Sequence, residues 1–385
     1  MESSSVITLK ESAVKKNVAF LRNKLGQKTR ISAVVKSNAY GHGIEYIVPL
    51  FEQEGIDHFS VFDFGEALRV DSSLRGDATI MIMGWISDSD LGEAIERNYE
   101  FFVFNLERLE SAIKQARQRK LSARIHLEVE TGMNRSGLDD KDLKKAVKMI
   151  QENSDHIVVA GFCTHLAGPE SISNHVRIQK QIKKYNRLLS WMTEQQINPG
   201  CRHVVNSAGA FVYPRARFDM ARIGIMLYGF WSSTETFIHY INRKASRVDP
   251  LQRILGWESR IMTVKNVSTG EYLGYGISFL AQTDMRAALI PIGYYYGYSR
   301  SLSNRGRVLI RGQRCSVIGV VNMNMVLVDI TKVPEAKVGD EVVMIGKQGE
   351  LEIKVSAFSD ISNKLNYEIL TLLPERIERR IIKRT

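Results

Sequence analysis

Short apolar runs alternate with longer amphipathic stretches over the first 230 residues of the chain. The runs are rich in Val, Ile and Phe, which is typical of buried strands. The stretches between them, such as 106–119 and 175–195, carry apolar residues at helical spacing. The runs predict eight strands, at residues 31–35, 58–62, 79–83, 100–104, 123–129, 157–163, 202–205 and 221–226. This alternation predicts an α/β fold with a parallel TIM-type (β/α)8 barrel.

The pattern changes after residue 230. Glycine becomes frequent, long helical patterns disappear, and segments 307–319, 326–330 and 341–345 have the pattern of strands. The polar stretch 232–250 is the predicted linker. We therefore expect a barrel over residues 1–240, followed by a mainly-β domain over residues 241–385.

Composition and charge narrow the class of protein. With 385 residues, 44% of them hydrophobic, the chain can bury a large core. No run approaches the ~20 apolar residues of a membrane span, and the N-terminus lacks the apolar core of a signal peptide. We therefore predict a cytoplasmic protein without a membrane partner. The three cysteines lack metal-ligand spacing, so neither a disulfide framework nor a metal site is predicted.

The formal net charge of +11 raises the question of nucleic acid. The basic residues are spread through helical stretches such as 141–148 and 179–187 and form no recognition motif. A surface that attracts small anionic ligands is the preferred interpretation, and no nucleic-acid partner is predicted.

Reactive side chains fall where the predicted strands end, which is where barrel enzymes carry their chemistry. They are Lys36, Arg135, His165, Asn206 and Ser207, and Arg222 lies within the eighth predicted strand. A lysine entering a dry barrel mouth has a lowered pKa, which suits a Schiff base with an aldehyde. Asn206, Ser207 and segment 222–225 offer hydroxyl, amide and N–H donors that suit a phosphate dianion. Lys36 and these phosphate donors together would suit a single ligand that carries both an aldehyde and a phosphate.

Seven ordered segments of the chain resemble the alanine racemase family. They are AVVKSNAYGHG (33–43), EVETGMNRSG (128–137), GFCTHLAG (161–168), VVNSAGA (204–210), ARIGIMLYG (221–229), GYGISF (274–279) and PIGYYYGY (291–298). The resemblance spans nearly the whole chain and implies a barrel followed by a β domain, with pyridoxal 5'-phosphate as cofactor. It implies an isomerase that interconverts L- and D-alanine and supplies D-alanine for peptidoglycan.

The resemblance assigns two catalytic bases. Lys36 would carry the cofactor and take or return the α-proton on one face of the substrate, and Tyr275 would act on the other. Inversion needs removal of the proton on one side and delivery on the other. In the family the tyrosine comes from the partner subunit, which implies a head-to-tail homodimer with shared sites.

The resemblance also assigns the remaining contacts. Arg222 would face the pyridine nitrogen and, because a guanidinium keeps its proton, leave that nitrogen unprotonated. His165 would lie beside the ring and link to Arg222. The other cofactor contacts are Tyr40, Asn206, Ser207, Gly224 and Ile225. The substrate would meet Arg135, Met323 and Tyr294.

Several positions depart from the family pattern. Glu128 stands where many members carry a carbamylated lysine, so we predict no carbamate: the carboxylate can hydrogen-bond the Arg135 guanidinium directly, with a shorter reach than the modified lysine. Ile381 stands at the position that we align with a phosphate-binding tyrosine found near the C-terminus of family members. Tyr296, Asn322 and Asn324 differ from the family in the substrate corridor, and the first and last of these replace acids.

Other functions stay open at this point. A racemase of serine or lysine would share every catalytic residue. A non-catalytic pyridoxal-phosphate protein would lack the β domain with Tyr275. A decarboxylase of the same fold type would need a cysteine acid, and Cys315, the one cysteine of the β domain, lies in a strand-like segment.

Overall fold

The computed structural model describes residues 3–242 and 247–383. Within them the strands are β1 (Ser5–Lys10), β2 (Arg30–Val34), β3 (His58–Val61), β4 (Thr79–Ile82), β5 (Glu100–Val103), β6 (Ala123–Glu128), β7 (Ile157–Cys163), β8 (Cys201–His203), β9 (Met220–Ile223), β10 (Leu255–Arg260), β11 (Thr263–Val267), β12 (Met285–Ile290), β13 (Arg307–Ile310), β14 (Gln313–Ile318), β15 (Val326–Asp329), β16 (Glu341–Gln348), β17 (Leu351–Ile353) and β18 (Glu378–Ile382).

The helices are α1 (Glu11–Leu25), α2 (Lys36–Tyr40), α3 (Ile44–Gln53), α4 (Phe64–Ser73), α5 (Asp88–Glu96), α6 (Leu106–Arg119), α7 (Asp140–Gln151), α8 (His175–Glu194), α9 (Ser207–Val212), α10 (Thr234–Ile241), α11 (Val355–Ser362) and α12 (Asn366–Thr371). Short 3-10 turns lie at Ile172–Asn174, Pro214–Ala216, Tyr294–Tyr296 and Arg300–Leu302. Among the described residues, no helix is both long and apolar enough to cross a membrane.

The chain forms two compact units. The first contains Ala13–Ala39 and Ile47–Gln252, and the second contains Met1–Ser12, Tyr40–Tyr46 and Arg253–Thr385. The N-terminal strand β1 and the short segment 40–46 therefore group with the C-terminal part of the chain. Domain limits at 1–240 and 241–385 stay a prediction.

The first unit is a nearly closed parallel barrel, which confirms the predicted fold. Its strand order is β8-β7-β6-β5-β4-β3-β2-β9, with all neighbours parallel. The two end strands are joined by backbone hydrogen bonds from Asp219 N–H to Arg202 O and from Arg222 N–H to Val205 O, both 3.1 Å. Each of the eight predicted runs contains one of these strands or most of it. The predicted runs are largely apolar along their length because barrel strands such as β3 and β5 are buried on both faces.

The second unit is a mainly-β domain, again as predicted. Its sheet has the order β11-β12-β15-β14-β13-β16-β10-β1-β18, and β17 pairs with β16. β1 is antiparallel to β10 and parallel to β18. Trp257 is buried in this unit and its indole donates to Ser5 Oγ at 2.8 Å, so the N-terminal strand contributes to the domain core.

Part of the predicted linker 232–250 forms helix α10, and the role of this segment as a linker stays a prediction. Ser233 caps the helix by accepting from Thr236 N–H, and Tyr240 stacks on Trp231. The polar composition had obscured apolar residues at helical spacing. Residues 243–246 of the predicted linker lie outside the described residues.

Candidate active site

A left-handed turn follows the first barrel strand and begins at Lys36. Ser37, Asn38 and Ala39 have φ of 54°, 53° and 53°. Such angles cost L-residues free energy, so the turn needs support. Glu66 provides it, because its Oε1 accepts from Ser37 N–H at 2.5 Å and from Asn38 N–H at 3.3 Å. The strained turn thus holds the lysine at the end of β2.

Glu66 contacts the turn at Lys36 but is not among the site residues predicted from sequence. Its Oε2 accepts from Phe62 N–H at 2.9 Å, and its own N–H donates to Asp63 Oδ1 at 2.9 Å. In sequence, Asp63 and Glu66 have the spacing of an ordinary helix capping box. That spacing predicts the start of α4 but says nothing of a carboxylate that reaches across to the turn after β2.

Burial lowers the pKa of the Lys36 amine, and the positive charge of Arg135 lowers it further. The negative charge of Glu66 opposes the shift. A lower pKa leaves more of the amine neutral, and a neutral amine is both a nucleophile and a base.

Arg222 lies in β9, and its guanidinium is held by acceptors from β8 and from the segment that follows β7. Its Nη1 donates to His203 O at 3.2 Å and contacts His203 Nδ1. Its Nη2 donates to Thr164 O at 2.8 Å and lies 3.5 Å from His165 Nδ1. These contacts hold the guanidinium as one rigid, permanently charged group.

His165 follows β7 and is uncharged near neutral pH. Burial lowers its pKa to about 3, and the charges of Arg222, Arg135 and Lys36 act in the same direction. A neutral imidazole can pack against an aromatic ring without adding charge to the site.

Hydroxyl and amide donors lie after β8 and β9. Asn206 caps helix α9 by accepting from Gly209 N–H at 2.9 Å, and Gly224 N–H donates to Ser207 Oγ at 3.0 Å. The Ser207 hydroxyl accepts this bond and keeps its own proton for a further acceptor. Ile225 is buried next in the chain.

Glu128 ends β6 as a buried carboxylate, and no direct hydrogen bond to Arg135 is among the described contacts. Burial raises the pKa of Glu128, while a hydrogen bond from Ser136 and the charges of Arg222 and Arg135 oppose the rise. Arg135 itself is exposed. Glu128 and Arg135 therefore interact through their charges, without a direct hydrogen bond among the described contacts.

The second unit presents its predicted residues on loops. Tyr275 is 75% exposed, between Gly274 and Gly276 with φ of 78° and 69°. Met323 is 55% exposed and Tyr294 is 43% exposed. Tyr294 N–H donates to Asn322 O at 3.0 Å, so the turn with Met323 lies against the turn with Tyr294.

A second tyrosine accompanies Tyr40 in this unit. The rings of Tyr40 and Tyr367 are 6.1 Å apart at 52°. Gly41, with φ of 77°, lies so close to the carbonyl of Leu370 in α12 that a Cβ would collide with it. Arg379 Nη2 also donates to Gly41 O at 2.9 Å. Tyr367 is not among the residues predicted from sequence, because only the fold brings α12 to segment 40–46.

Both halves of the chain match known family models. Residues 9–231 match the alanine racemase N-terminal domain, and residues 254–381 match the alanine racemase C-terminal domain. The chain belongs to the alanine racemase family. Its fold and the expected class of enzyme are therefore those of the resemblance seen in sequence.

Full-length relatives agree with this assignment. The alanine racemase of Leptospira interrogans is 33% identical over 384 residues, covering 98% of this chain and 96% of that protein. Alanine racemase 2 of Bacillus subtilis is 33% identical over 377 residues, covering 96% of this chain and 93% of that protein.

Solved alanine racemases have the same fold. The Streptomyces lavendulae structure has a TM-score of 0.90 and 26% identity, covering 100% of this chain and 98% of that one. The Bartonella henselae structure, which has covalently bound pyridoxal phosphate, has a TM-score of 0.84 and 27% identity, covering 99% of this chain and 100% of that one.

Within the alanine racemase fold, the predicted site residues divide between the two units. The barrel unit contains Lys36, Glu128, Arg135, His165, Asn206, Ser207, Arg222, Gly224 and Ile225. The second unit contains Tyr40, Tyr275, Tyr294 and Met323. The departures at Tyr296, Asn322, Asn324 and Ile381 also lie in the second unit.

Proposed function

We propose that this protein is a pyridoxal-phosphate-dependent alanine racemase that interconverts L- and D-alanine. The observation that carries the proposal is Lys36, an amine with a lowered pKa held at the end of the first barrel strand by the turn bound to Glu66. Relatives named alanine racemase that cover nearly the whole chain support the choice of substrate.

The barrel residues fit the cofactor. Lys36 offers the neutral amine that an aldehyde needs, and Ser207, whose Oγ accepts from Gly224 N–H, keeps its hydroxyl proton for a phosphate oxygen. Neutral His165 suits one side of an aromatic ring, and Arg222 suits a ring nitrogen that accepts a hydrogen bond. When bound, pyridoxal phosphate supplies a conjugated ring that delocalises the negative charge left at the substrate α-carbon.

Lys36 and Tyr275 are the proposed bases on opposite faces of the substrate. A neutral lysine can take the α-proton, and burial together with Arg135 favours that neutral form. Tyr275 is displayed between two left-handed glycines, with most of its surface exposed, instead of packing in the domain core. That display supports its donation to the site of a partner subunit in a head-to-tail homodimer.

Arg135, the Met323 backbone and Tyr294 are the proposed contacts of the substrate. The Arg135 guanidinium would bind the carboxylate of the substrate, and the buried negative charge of Glu128 would orient that guanidinium. No carbamate is needed for this, since the negative charge belongs to the side chain itself.

Tyr40 and Tyr367 are the proposed phenol donors to the cofactor phosphate. Their ring contact, and the clamping of Gly41 by Leu370 and Arg379, support a shared site. Ile381 instead lies in β18, opposite Leu9 of β1. On this proposal, the isoleucine costs the cofactor no phosphate contact.

The proposed role of the reaction is to supply D-alanine for peptidoglycan, as the family resemblance implies. The proposed location of the enzyme is the cytoplasm.

An absorbance scan followed by a racemisation assay tests the proposal. We expect a cofactor band near ~420 nm that disappears in Lys36→Ala, together with D-alanine formation from L-alanine. Lys148→Ala, which removes a lysine on the exposed side of α7, is the matched control and should keep both. A Lys36-dependent band with turnover of serine or lysine but not alanine would contradict the substrate, and no band would contradict the cofactor site.

A further inference from the structure

A chain of buried polar side chains runs through the barrel from Arg222 toward the amino end of the strands. His203 Nε2 lies 2.7 Å from His126 Nδ1, and His126 Nε2 lies 2.8 Å from Glu100 Oε2. Glu100 is the first residue of β5, and its Oε1 accepts from Arg124 Nη2 at 2.7 Å. This hydrogen-bonded series of side chains therefore joins the Arg222 guanidinium of the candidate site to the Glu100 carboxylate at the opposite end of the barrel.

Each proton in this chain has one consistent position. Arginine only donates, so His203 Nδ1 must accept from Arg222. Burial lowers the pKa of His203 well below its usual value, and the charge of Arg222 adds to the effect, so the ring is neutral. A neutral imidazole that accepts at Nδ1 carries its proton on Nε2 and donates there.

The same logic extends to the carboxylate. His126 Nδ1 accepts from His203, so His126 carries its proton on Nε2 and donates it to Glu100. Burial opposes ionisation of Glu100, but hydrogen bonds from His126 and Arg124, together with the His58 ring, whose Nε2 lies 3.7 Å from Oε2, lower its pKa far below the usual value. Glu100 is thus a permanent acceptor, and it requires from its end of the network the same bond directions that Arg222, a permanent donor, requires from the other end.

We propose that Glu100 is a positioning residue for Arg222, acting through His126 and His203. This inference rests on the proposed function, in which Arg222 meets the ring nitrogen of the cofactor. Which imidazole nitrogen holds the proton is set by the bond that the other nitrogen makes. Without the carboxylate, His126 and His203 can adopt the opposite tautomer, which turns an N–H toward Arg222 and displaces its guanidinium.

The surroundings of Glu100 allow its replacement. A pocket of about 350 Å³, lined by Arg30, His58, Arg124 and Met220 among others, adjoins the carboxylate. The Arg124 side chain is 37% exposed, so it can turn to solvent when its partner is removed. Glu100→Leu keeps much of the side-chain volume and removes the acceptor, whereas Glu100→Asp keeps a carboxylate.

Nitrogen-15 NMR of histidine-labelled holoenzyme tests the proton order directly, with signals assigned from His126→Gln and His203→Gln variants. In the wild type, both rings should carry the proton on Nε2 and none on Nδ1. In Glu100→Leu, the signals of both rings should change. A protonated Nδ1 on either ring of the wild type would overturn the inference, whatever the variants do.

Kinetics test the consequence for Arg222. Glu100→Leu should lower kcat for L-alanine about tenfold, the size typical of losing a group that orients a functional histidine, with a smaller change in KM. Glu100→Asp should restore part of the loss. Glu96→Leu, which removes the partner of Arg119 on the surface of α5, is the matched control.

A purely structural role for Glu100 predicts a different result. It would lower the free energy of unfolding while leaving tautomers, cofactor absorbance and kcat per folded site as in Glu96→Leu, and that outcome would overturn the inference. A wild-type protein without alanine turnover would contradict the proposed function instead, and the tautomers would still decide the order of the bonds.

Discussion

Removing the Glu66 carboxylate should release the left-handed turn that holds Lys36. Glu66 accepts three backbone N–H groups, from Ser37, Asn38 and Phe62. A hydrogen bond to a charged group contributes about 1.5–3 kcal/mol, but two of these three are exposed, so we count about 1 kcal/mol for each. Glu66→Ala should therefore lower the free energy of unfolding by about 3 kcal/mol.

Glu66→Gln should cost less. Its amide oxygen can still accept from the turn, but its amide nitrogen meets the Phe62 N–H as a second donor. We expect a loss of about 1 kcal/mol, measured by urea unfolding followed by circular dichroism. Cofactor affinity should fall in the same order, from wild type to Glu66→Gln to Glu66→Ala, because the turn carries the lysine.

Glu52 provides a matched control. Its carboxylate also accepts backbone N–H groups of an exposed loop, from Arg75 and Gly76, but these residues are not in a left-handed turn. Glu52→Ala should lower stability less than Glu66→Ala and leave the cofactor band intact. If Glu66→Ala unfolds at the same urea concentration as Glu52→Ala and binds cofactor as the wild type does, the turn does not depend on Glu66.

The roles proposed for Tyr275, Tyr367, Glu128 and His165 can each be measured separately. Tyr275→Phe should reduce the rate of racemisation by about 10²–10⁴-fold but keep the cofactor band and the Lys36-dependent exchange of the α-proton with solvent. Tyr272→Phe is the control and should leave the rate, the band and the exchange unchanged. Equal loss of exchange for both enantiomers in Tyr275→Phe would mean that Tyr275 is structural. Tyr367→Phe should weaken cofactor binding about tenfold in a titration of the apoprotein, as the loss of a bond to a charged phosphate requires, and unchanged binding would remove Tyr367 from the phosphate site. Activity should not respond to added bicarbonate, because Glu128 needs no carbamate, and a bicarbonate-dependent rate would contradict this. Burial lowers the folded-state pKa of His165 to about 3, so protonation of this histidine favours the unfolded protein. The free energy of unfolding should therefore fall by up to about 1.4 kcal/mol for each pH unit as the pH drops from 6.5 to 3. His165→Leu should reduce that slope in urea unfolding at a series of pH values, and an unchanged slope would mean that His165 does not titrate on unfolding.

The amino-acid sequence alone determined the local elements and their order. Strands of the barrel are buried on both faces, so each appears as a short apolar run that can be recognised without a partner. Chemistry in such a barrel lies at the strand ends, so Lys36, His165 and Arg222 could be selected from their positions in the pattern. Segment 232–250 shows where local composition misleads, because polar residues there conceal the apolar face of α10.

Contacts between distant residues were decided only by the tertiary structure. Glu66 reaches the turn after Lys36 from another βα unit, and its spacing to Asp63 indicates nothing beyond a helix cap. β1 joins the C-terminal sheet between β10 and β18, a pairing across most of the chain that no periodicity encodes. Glu100, His126 and His203 stand on three different strands, and closure of the barrel alone makes them a single hydrogen-bonded chain, since periodicity describes which face a residue occupies and not which side chain it meets there.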